Sequence, residues 1–297
     1  MLEASSPVPP APAAAEPARV PCGVPDFDYF MGGVPPGSVV LLLGDAGAGH
    51  SEFALTSAVQ LMRHRESPLD HPIHLGRSRG ALDVPDAIVY VSFTRTRTQV
   101  LDEIRAAFDA VYPEVVERHL FFHDLSSAYF QATSVPAAWS EVASPLSGGS
   151  LARAPLIGGA AGPLRALADA LDADGNHRLI ILDSLGDLVV RPGLETSEIV
   201  TFLKGLRRRA KSWAGIVYLL LSRGVATPAT EQAIVDSVDG VLSFSWTSPQ
   251  NRSQRQRTLV IEKFLPVLSH VADEYQGRFV IRVQARTGLV TTQHERV

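Results

Sequence analysis

Residues 39–51 read VVLLLGDAGAGHS, and this stretch decides the fold. An unbroken apolar run ends at Gly44, further glycines follow at Gly47 and Gly49, and an amphipathic helical pattern starts at Ser51. An apolar run without alternation is typical of a strand that is covered on both faces. Glycines after such a strand let the backbone turn so that its N–H groups converge on an anion at the start of the helix. The stretch therefore predicts a strand, a phosphate-binding loop and a helix.

The spacing of this loop fits the phosphate-loop pattern GxxxxGK[ST], with one departure. Gly44, Gly49 and Ser51 are in register, whereas His50 occupies the position of the lysine. An imidazole with an ordinary pKa near 6.5 is mostly neutral at physiological pH, so it does not replace the lysine charge unless bound phosphate raises that pKa. The sequence therefore predicts an intact backbone cradle with a weakened cation.

A dinucleotide-binding loop is the competing interpretation of these glycines. The pattern GxGxxG would have to begin at Gly47, and its sixth position is then Glu52. The acid that would bind a ribose is also missing, because Thr94 and Arg95 follow the second predicted strand. The glycine spacing therefore favours a phosphate loop over a nicotinamide site.

A second informative segment is RLIILDS, residues 178–184. It is an apolar strand pattern that carries Asp183 at its carboxyl end. In phosphate-loop proteins an acid at this place holds Mg²⁺ together with the loop hydroxyl, which is Ser51 here. An acid at a strand end is common, so this segment alone is weak evidence. Together with the glycine loop upstream of it, the segment indicates a phosphate-loop protein.

Composition and charge exclude several classes of protein. The chain has 297 residues, of which 45% are hydrophobic and 20% charged, and a formal net charge of −4. This charge argues against a protein that coats nucleic acid or an anionic membrane. Cys22 is the single cysteine, which excludes an intrachain disulfide framework and a multi-cysteine metal site. The longest apolar run, residues 216–221, is far shorter than the roughly 20 residues of a membrane span, and no secretory signal is visible, so we expect a cytoplasmic protein.

The chain is predicted to form a single domain over residues 23–297. Residues 1–22 are rich in proline and alanine and are predicted to be a disordered tail. Residues 66–86 and 144–163 contain clustered proline or glycine without periodicity and are predicted to be surface loops. No internal repeat is present, which argues against a tandem two-lobed protein.

Apolar runs alternate with amphipathic helical patterns along the predicted domain, and this order indicates a mostly parallel α/β sheet. The pattern changes after residue 240 to closely spaced strands, which predicts an antiparallel addition at the C-terminal end. The predicted strands are residues 39–43, 88–93, 120–123, 179–182, 216–221, 241–246, 258–264 and 278–284. The helical patterns cover residues 55–62, 100–111, 163–171 and 199–213.

The order of these motifs resembles that of KaiC-like ATPases of the RecA superfamily, over roughly residues 20–292. It is most similar to the archaeal HTR-like branch, whose members also carry altered phosphate loops. The resemblance implies a RecA-like phosphate-loop NTPase core in a family that commonly assembles into rings or filaments. The matching segments are GVPDFD at 23–28, MGG at 31–33, PGS at 36–38, the glycine loop, VYVSF at 89–93, the Asp183 strand, the strand at 215–221, DSVDGV at 236–241 and the strand at 258–263.

The sequence departs from this family at three catalytic positions. His50 replaces the lysine that reaches the β- and γ-phosphates. Thr94 stands where active relatives place the glutamate that activates water. Leu265 and Pro266 stand where KaiC-like proteins carry an arginine and a glycine that act on the nucleotide of a neighbouring subunit. We therefore expect negligible hydrolysis of ATP and no confident catalytic residue.

The resulting hypothesis is a regulatory or scaffolding pseudo-ATPase that binds ATP weakly or not at all. It would assemble with itself or with a related active ATPase. Ser51 and Asp183 would hold Mg²⁺ if a nucleotide binds, and Lys263 would contact the neighbouring subunit's site. The residues expected to hold the nucleotide are Gly44, Asp45, Ala46, Gly47, Ala48, Gly49, His50 and Ser51.

Two alternatives stay open. One is a slow Mg²⁺-dependent ATPase in which protonated His50 replaces the lysine. The other is a DNA-binding recombination mediator, for which the basic residues 207–211 and the arginines within 248–257 are candidate contacts. The loops after Asp183 and after Leu221 occupy the positions of recombinase DNA-binding loops, but they are short and not strongly basic. We interpret the first basic segment as a solvated helix face and the second as an exposed hairpin, because no aromatic residue is interleaved with the hairpin arginines.

Overall fold

The computed structural model describes residues 17–76, 78, 80–140, 162–248, 255–264 and 278–295. Helices and strands alternate through most of this part of the chain, and strands dominate its C-terminal end. In chain order the elements are α1 (Pro25–Met31), β1 (Ser38–Gly44), α2 (His50–Glu66), β2 (Ile88–Ser92), α3 (Arg97–Ala107), α4 (Val111–His119), β3 (Leu120–Asp124), α5 (Ser126–Phe130), a 3₁₀ turn (Ala137–Trp139), α6 (Pro163–Asp174), β4 (Leu179–Asp183), α7 (Leu185–Val190), α8 (Thr196–Trp213), β5 (Ile216–Ser222), α9 (Pro228–Ser237), β6 (Gly240–Thr247), β7 (Gln256–Lys263), β8 (Arg278–Gln284) and β9 (Gly288–Glu295).

The strands form one sheet in the order β3-β2-β4-β5-β1-β6-β7-β8-β9. The pairs from β3 to β6 are all parallel, and the pairs from β6 to β9 are all antiparallel. The prediction of a mostly parallel sheet with antiparallel C-terminal strands is therefore confirmed. Along the described residues, no helix combines the length and the low polarity that crossing a bilayer requires.

The centre of the sheet is covered on both faces, as the unbroken apolar runs predicted. All seven residues of β1 are buried. Val40 and Leu42 belong to the core on the α2 side of the sheet, whereas Leu41 and Leu43 belong to the core on the α8 side. Successive side chains of a strand point to opposite faces, so a strand between two helical layers needs apolar residues at every position.

The carboxyl ends of three parallel strands meet at one edge of the sheet. Gly44 ends β1, and Ser92 at the end of β2 is paired with Asp183 at the end of β4. Ligands of open parallel sheets bind at this edge, where loops and helix N-termini converge. The fold therefore brings the two sequence motifs to the same side of the molecule.

The N-terminal boundary of the packed chain lies earlier than predicted. The predicted tail included residues 17–22, but Val20 and Cys22 are buried, and Val20 exchanges two backbone hydrogen bonds of 2.8 Å with Val34. Two apolar side chains and a bridge suffice to fix this segment against the core, so the prediction of disorder is wrong from residue 19 onward. Residues 1–16 of the predicted tail and residues 144–161 of the predicted loop lie outside the described residues.

Two other elements differ from the sequence pattern. The helical pattern over residues 100–111 is divided into α3 and α4, because Phe108 takes an extended conformation with φ −128°. The strand β9 was not predicted. It pairs with β8 and its Leu289 is buried beneath α2, where the Leu289 N–H donates to the Thr56 hydroxyl at 2.8 Å.

Candidate functional site

The predicted loop follows β1 directly, and it turns on two glycines with positive φ. Gly47 has φ 69° and Gly49 has φ 118°, conformations that side-chain-bearing residues rarely adopt. The Ala48 N–H donates to the Asp45 carbonyl at 3.0 Å, which closes the turn. Gly47 and Gly49 thus adopt the turn conformation for which the sequence analysis expected glycine.

The first turn of α2 presents unpartnered backbone donors. The helix begins at His50 without a side-chain cap, and its first internal bond runs from the Phe53 N–H to the Gly49 carbonyl at 2.8 Å. In the described part of the chain, the N–H groups of His50, Ser51 and Glu52 have no hydrogen-bond acceptor. Such donors, together with the positive end of the helix dipole, form an anion-binding surface.

His50 is packed into the loop. Its side chain is only 8% exposed, and a Cβ placed on Gly44 would lie 2.4 Å from His50 Nδ1. That Nδ1 atom is buried without a hydrogen-bond partner. Burial lowers the pKa of His50, although the nearby Glu52, Asp183 and Asp45 oppose this effect, so the ring is neutral at physiological pH. This environment disfavours the protonated imidazole that the slow-ATPase alternative requires.

The antiparallel strands close over the loop. The Trp246 N–H donates to Asp45 Oδ2 at 3.2 Å, and its indole Nε1 donates to the Ala46 carbonyl at 3.1 Å. Arg257 on β7 donates from Nε to the Gly47 carbonyl at 2.9 Å. Sequence reasoning missed both residues as parts of the site, and only the clustering of arginines in the hairpin hinted at Arg257.

Asp183 is already paired with a cation. Its Oδ2 accepts hydrogen bonds from the Tyr90 hydroxyl at 2.5 Å and from Arg95 Nη1 at 2.7 Å. Burial and the Asp183 charge raise the pKa of Tyr90, so this hydroxyl stays protonated and donates. Arg95 also forms an ion pair with Glu103 on α3. The sequence analysis noted Arg95 only because a dinucleotide site would need an acid near this position. In the structure Arg95 is the ion-pair partner of Asp183, the residue predicted to bind Mg²⁺.

The predicted Mg²⁺ site of Ser51 and Asp183 stays a prediction. The Asp183 side chain is 14% exposed, and its Oδ2 is bound by the Arg95 guanidinium and by the Tyr90 hydroxyl. Arg95 therefore competes with Mg²⁺ for this carboxylate, although Arg95 shares its single charge with Glu103. Within the described ranges, no group of three or more His, Cys, Asp or Glu residues is placed to hold a metal ion.

Thr94 lies at the end of β2 and is exposed. Its backbone N–H is within 3.4 Å of the Ser92 hydroxyl, and its own side chain carries no carboxylate that would act as a base. The next residue places the Arg95 guanidinium, rather than an acid, at this edge of the sheet. That no residue at this position acts as a general base stays a prediction.

Lys263 lies at the end of the sheet opposite to the loop, where strand β6 begins. It is paired with Val241, at the start of β6. Its Nζ donates to the carbonyls of Val235 at 2.7 Å and Val238 at 2.8 Å, at the C-terminal end of α9. Burial and the nearby Arg207 lower the pKa of Lys263. A contact of Lys263 with a neighbouring subunit stays a prediction, and Leu265 and Pro266 lie outside the described residues.

The basic segment on α8 is paired within the chain. Arg207 and Lys211 both donate to the Asp239 carboxylate, at 2.7 Å and 3.1 Å, and Arg209 donates to Asp172 at 2.8 Å. Arg208 is exposed. These ion pairs agree with a solvated helix face rather than a nucleic-acid contact. Residues 249–254 of the predicted hairpin lie outside the described residues.

The sheet order, the glycine loop after β1 and the acid at the end of β4 define a RecA-like phosphate-loop NTPase fold. Solved structures of KaiC-like proteins share this fold. The chain is similar to a KaiC-like protein from the archaeon Pyrococcus horikoshii, at 16% identity over 94% of this chain and 100% of that one, with a TM-score of 0.60. It is also similar to the flagellar accessory protein FlaH from Methanocaldococcus jannaschii, at 15% identity over 94% and 100% of the two chains, with a TM-score of 0.57.

Similarity at the level of sequence is much weaker than this agreement of folds. No protein-family model matches the chain, and no curated protein matches it. The two structural neighbours are below 20% identity, so they establish the RecA-like, KaiC-like fold and leave the activity to be argued from the site.

Proposed function

We propose that this chain is a nucleotide-binding protein of KaiC-like fold that does not hydrolyse its ligand, and that it acts as a cytoplasmic regulatory or scaffolding partner. One observation carries the proposal. The backbone donors at the start of α2 are free to bind phosphate, while Asp183 is held by Arg95 and Tyr90. The site therefore has the means to bind an anion and lacks the means to activate water.

The case against hydrolysis rests on three positions. Thr94 offers no carboxylate, Asp183 offers no free charge for Mg²⁺, and His50 is neutral and buried. General-base catalysis typically supplies a rate factor of about 10² to 10⁴, and an arginine finger about 10³ to 10⁵. A site without these groups is expected to turn over ATP at a negligible rate.

The case for binding rests on the loop itself. The cradle of N–H groups depends on the backbone and on Gly47 and Gly49, both of which keep the conformation that a phosphate loop needs. Loss of one charge-assisted hydrogen bond from the missing lysine costs about 1.5–3 kcal/mol, which is an affinity about ten to a hundred times weaker. Weak binding is therefore the expected outcome.

Assembly is the second part of the proposal. KaiC-like proteins commonly form rings or filaments, and the resemblance supports assembly of this chain with itself or with a related active ATPase. A subunit without turnover would then stabilise or regulate its active neighbours. Sedimentation of the purified protein with and without ADP would measure whether assembly depends on nucleotide.

The decisive experiment is calorimetric titration with ATP and ADP, with and without Mg²⁺, combined with an assay of phosphate release. The variant His50→Lys restores the loop cation, and His74→Lys adds the same charge at an exposed residue outside the site. We expect weak binding without turnover in the wild type, tighter binding in His50→Lys and no change in His74→Lys.

Two outcomes would overturn the proposal. Mg²⁺-dependent turnover that rises toward acid pH and disappears in Asp183→Ala would establish the slow ATPase instead. Absence of binding to both the wild type and His50→Lys would show that the loop does not take nucleotide. Salt-sensitive binding of single-stranded DNA at low ionic strength would favour the recombination-mediator alternative.

A further inference from the structure

The structure places an uncompensated positive charge on the glycine loop. Arg257 is fixed there by the hydrogen bond from its Nε to the Gly47 carbonyl, and its guanidinium carbon lies 4.9 Å from the centre of the Trp246 ring. Trp246 is the cross-strand partner of Arg257, and it binds the Ala46 carbonyl through its indole N–H. Two strands thus hold the arginine over the loop.

The charge of Arg257 has no counter-ion in the described part of the chain. No Asp or Glu there lies within ion-pair distance of it, and its two terminal nitrogens have no acceptor. Arg223, which also lies next to the loop, differs in this respect, because its guanidinium is paired with Glu231 and Glu262. An arginine that is positioned by one hydrogen bond and leaves its terminal N–H groups free is suited to bind an anion.

The loop needs such a charge. The N–H groups at the start of α2 are unpartnered, and His50 supplies no positive charge because it is neutral. His50 is only 8% exposed, and its Nδ1, which lies against Gly44 inside the loop, also lacks a hydrogen-bond partner. A free set of donors, an orphaned polar atom and a free guanidinium therefore meet on one loop.

We propose that Arg257, reaching from β7, is the cation of this phosphate-binding loop in place of a lysine at position 50, and that the group it helps to hold is the diphosphate or triphosphate of a nucleotide. This inference rests on the proposed binding of nucleotide by the loop. Because a guanidinium binds phosphate oxygens through paired N–H groups and cannot be deprotonated at physiological pH, the charge is permanent. Because Arg95 already occupies the Asp183 carboxylate, we expect the ligand to bind without a requirement for Mg²⁺.

Arg255 provides a matched control. Its guanidinium carbon also stacks on Trp246, at 5.0 Å from the ring centre, and it lies two residues before Arg257, just ahead of β7. Arg255 is exposed and makes no hydrogen bond to the loop. The two arginines therefore share charge and aromatic contact, and they differ in their contact with the loop.

The experiment measures the affinities for ADP, ATP and pyrophosphate in the presence of EDTA. The proteins are the wild type, Arg257→Gln, Arg255→Gln and His50→Gln, each checked by circular dichroism and thermal unfolding. We expect Arg257→Gln to weaken binding by about ten- to a hundredfold, as loss of a charge-assisted contact does. Arg255→Gln, which leaves the contact between Arg257 and Gly47 in place, should change the affinity by less than about threefold.

The outcomes separate this inference from the proposed function. If the wild type binds none of the probes, both the proposed function and the role of Arg257 are wrong. If the wild type binds and Arg257→Gln binds equally well, only the role of Arg257 is wrong. If Arg257→Gln does not fold, a loss of affinity in His50→Gln would identify His50 as the cation and overturn the inference, and an unchanged affinity would support Arg257. Pyrophosphate distinguishes a phosphate site from one that also needs the nucleoside.

Discussion

Replacement of Arg95 by glutamine is the most direct test of how the Asp183 site is neutralised. Arg95 donates to Asp183 Oδ2 at 2.7 Å and also forms an ion pair with Glu103. Arg95→Gln removes the positive charge and leaves the Asp183 carboxylate with the Tyr90 hydroxyl as its hydrogen-bond donor. We expect two effects: a loss of stability, and the appearance of a response to Mg²⁺.

The size of the first effect follows from the burial of the pair. Removing one partner of a fully buried pair costs about 3–5 kcal/mol, whereas an exposed pair contributes about 0–1 kcal/mol. The side chains of Arg95 and Asp183 are 30% and 14% exposed, which lies between these limits, so we expect a loss of about 2 kcal/mol in the free energy of unfolding. For a chain of this size that is a fall in Tm of about 3–4 °C.

Thermal unfolding with and without millimolar Mg²⁺ measures both effects. The control is Arg97→Gln, because Arg97 is paired with Glu117 at 3.2 Å in an exposed position and its loss should lower Tm by less than about 2 °C. Mg²⁺ should raise the Tm of Arg95→Gln and leave the wild type and Arg97→Gln unchanged. Equal Tm values for the two variants, or a wild type that responds to Mg²⁺ as strongly as Arg95→Gln, would refute the reasoning.

Three further predictions concern backbone strain, proton binding and charge pairing. In urea unfolding, Gly49→Ala should lower the free energy of unfolding by about 2 kcal/mol and Gly47→Ala by about 1 kcal/mol. Both glycines have positive φ, but only the methyl added at Gly49 would contact apolar side chains, at 3.2 Å. Equal midpoints would contradict this. Burial raises the pKa of Asp28 to about 7, above its unfolded value, so the folded state holds this proton more tightly. Stability should therefore fall as pH rises from about 4 to about 7, and Asp28→Asn, followed by unfolding at several pH values, should flatten that slope; an unchanged slope would assign it to other groups. Asp239→Asn, which weakens two ion pairs of α8 and a backbone bond, should lower the free energy of unfolding by about 2 kcal/mol, whereas Arg208→Gln should change it by less than about 0.5 kcal/mol. Similar losses in the two variants would show that the Asp239 pairs do not matter.

The central strand and the loop after it were predictable because the signals are local. The apolar run before Gly44 encodes burial on both faces, and the two glycines at 47 and 49 encode the positive φ values of the turn. The helix begins at His50, next to the predicted start at Ser51. Each of these features depends on residues within a few positions of one another.

The N-terminal segment shows where local reasoning fails. Its composition predicted disorder up to Cys22, but Cys22 N–H and Gly23 N–H donate to the buried Asp28 carboxylate at 2.6 Å and 2.7 Å. These bonds, with the bridge between Val20 and Val34, hold the segment against the sheet. A proline- and alanine-rich stretch carries no signal for contacts of this kind.

The sequence by itself determined the parallel strands and the positions of the loop glycines, because spacing and residue type set local conformation. Tertiary structure alone decided what surrounds those positions. Arg95 meets Asp183 across 88 residues because β2 and β4 pair in parallel, and Arg257 meets Gly47 across 210 residues because β7 follows β6 to the loop. Such partners depend on the register of strands far apart in the chain, and no periodicity within one segment encodes that register.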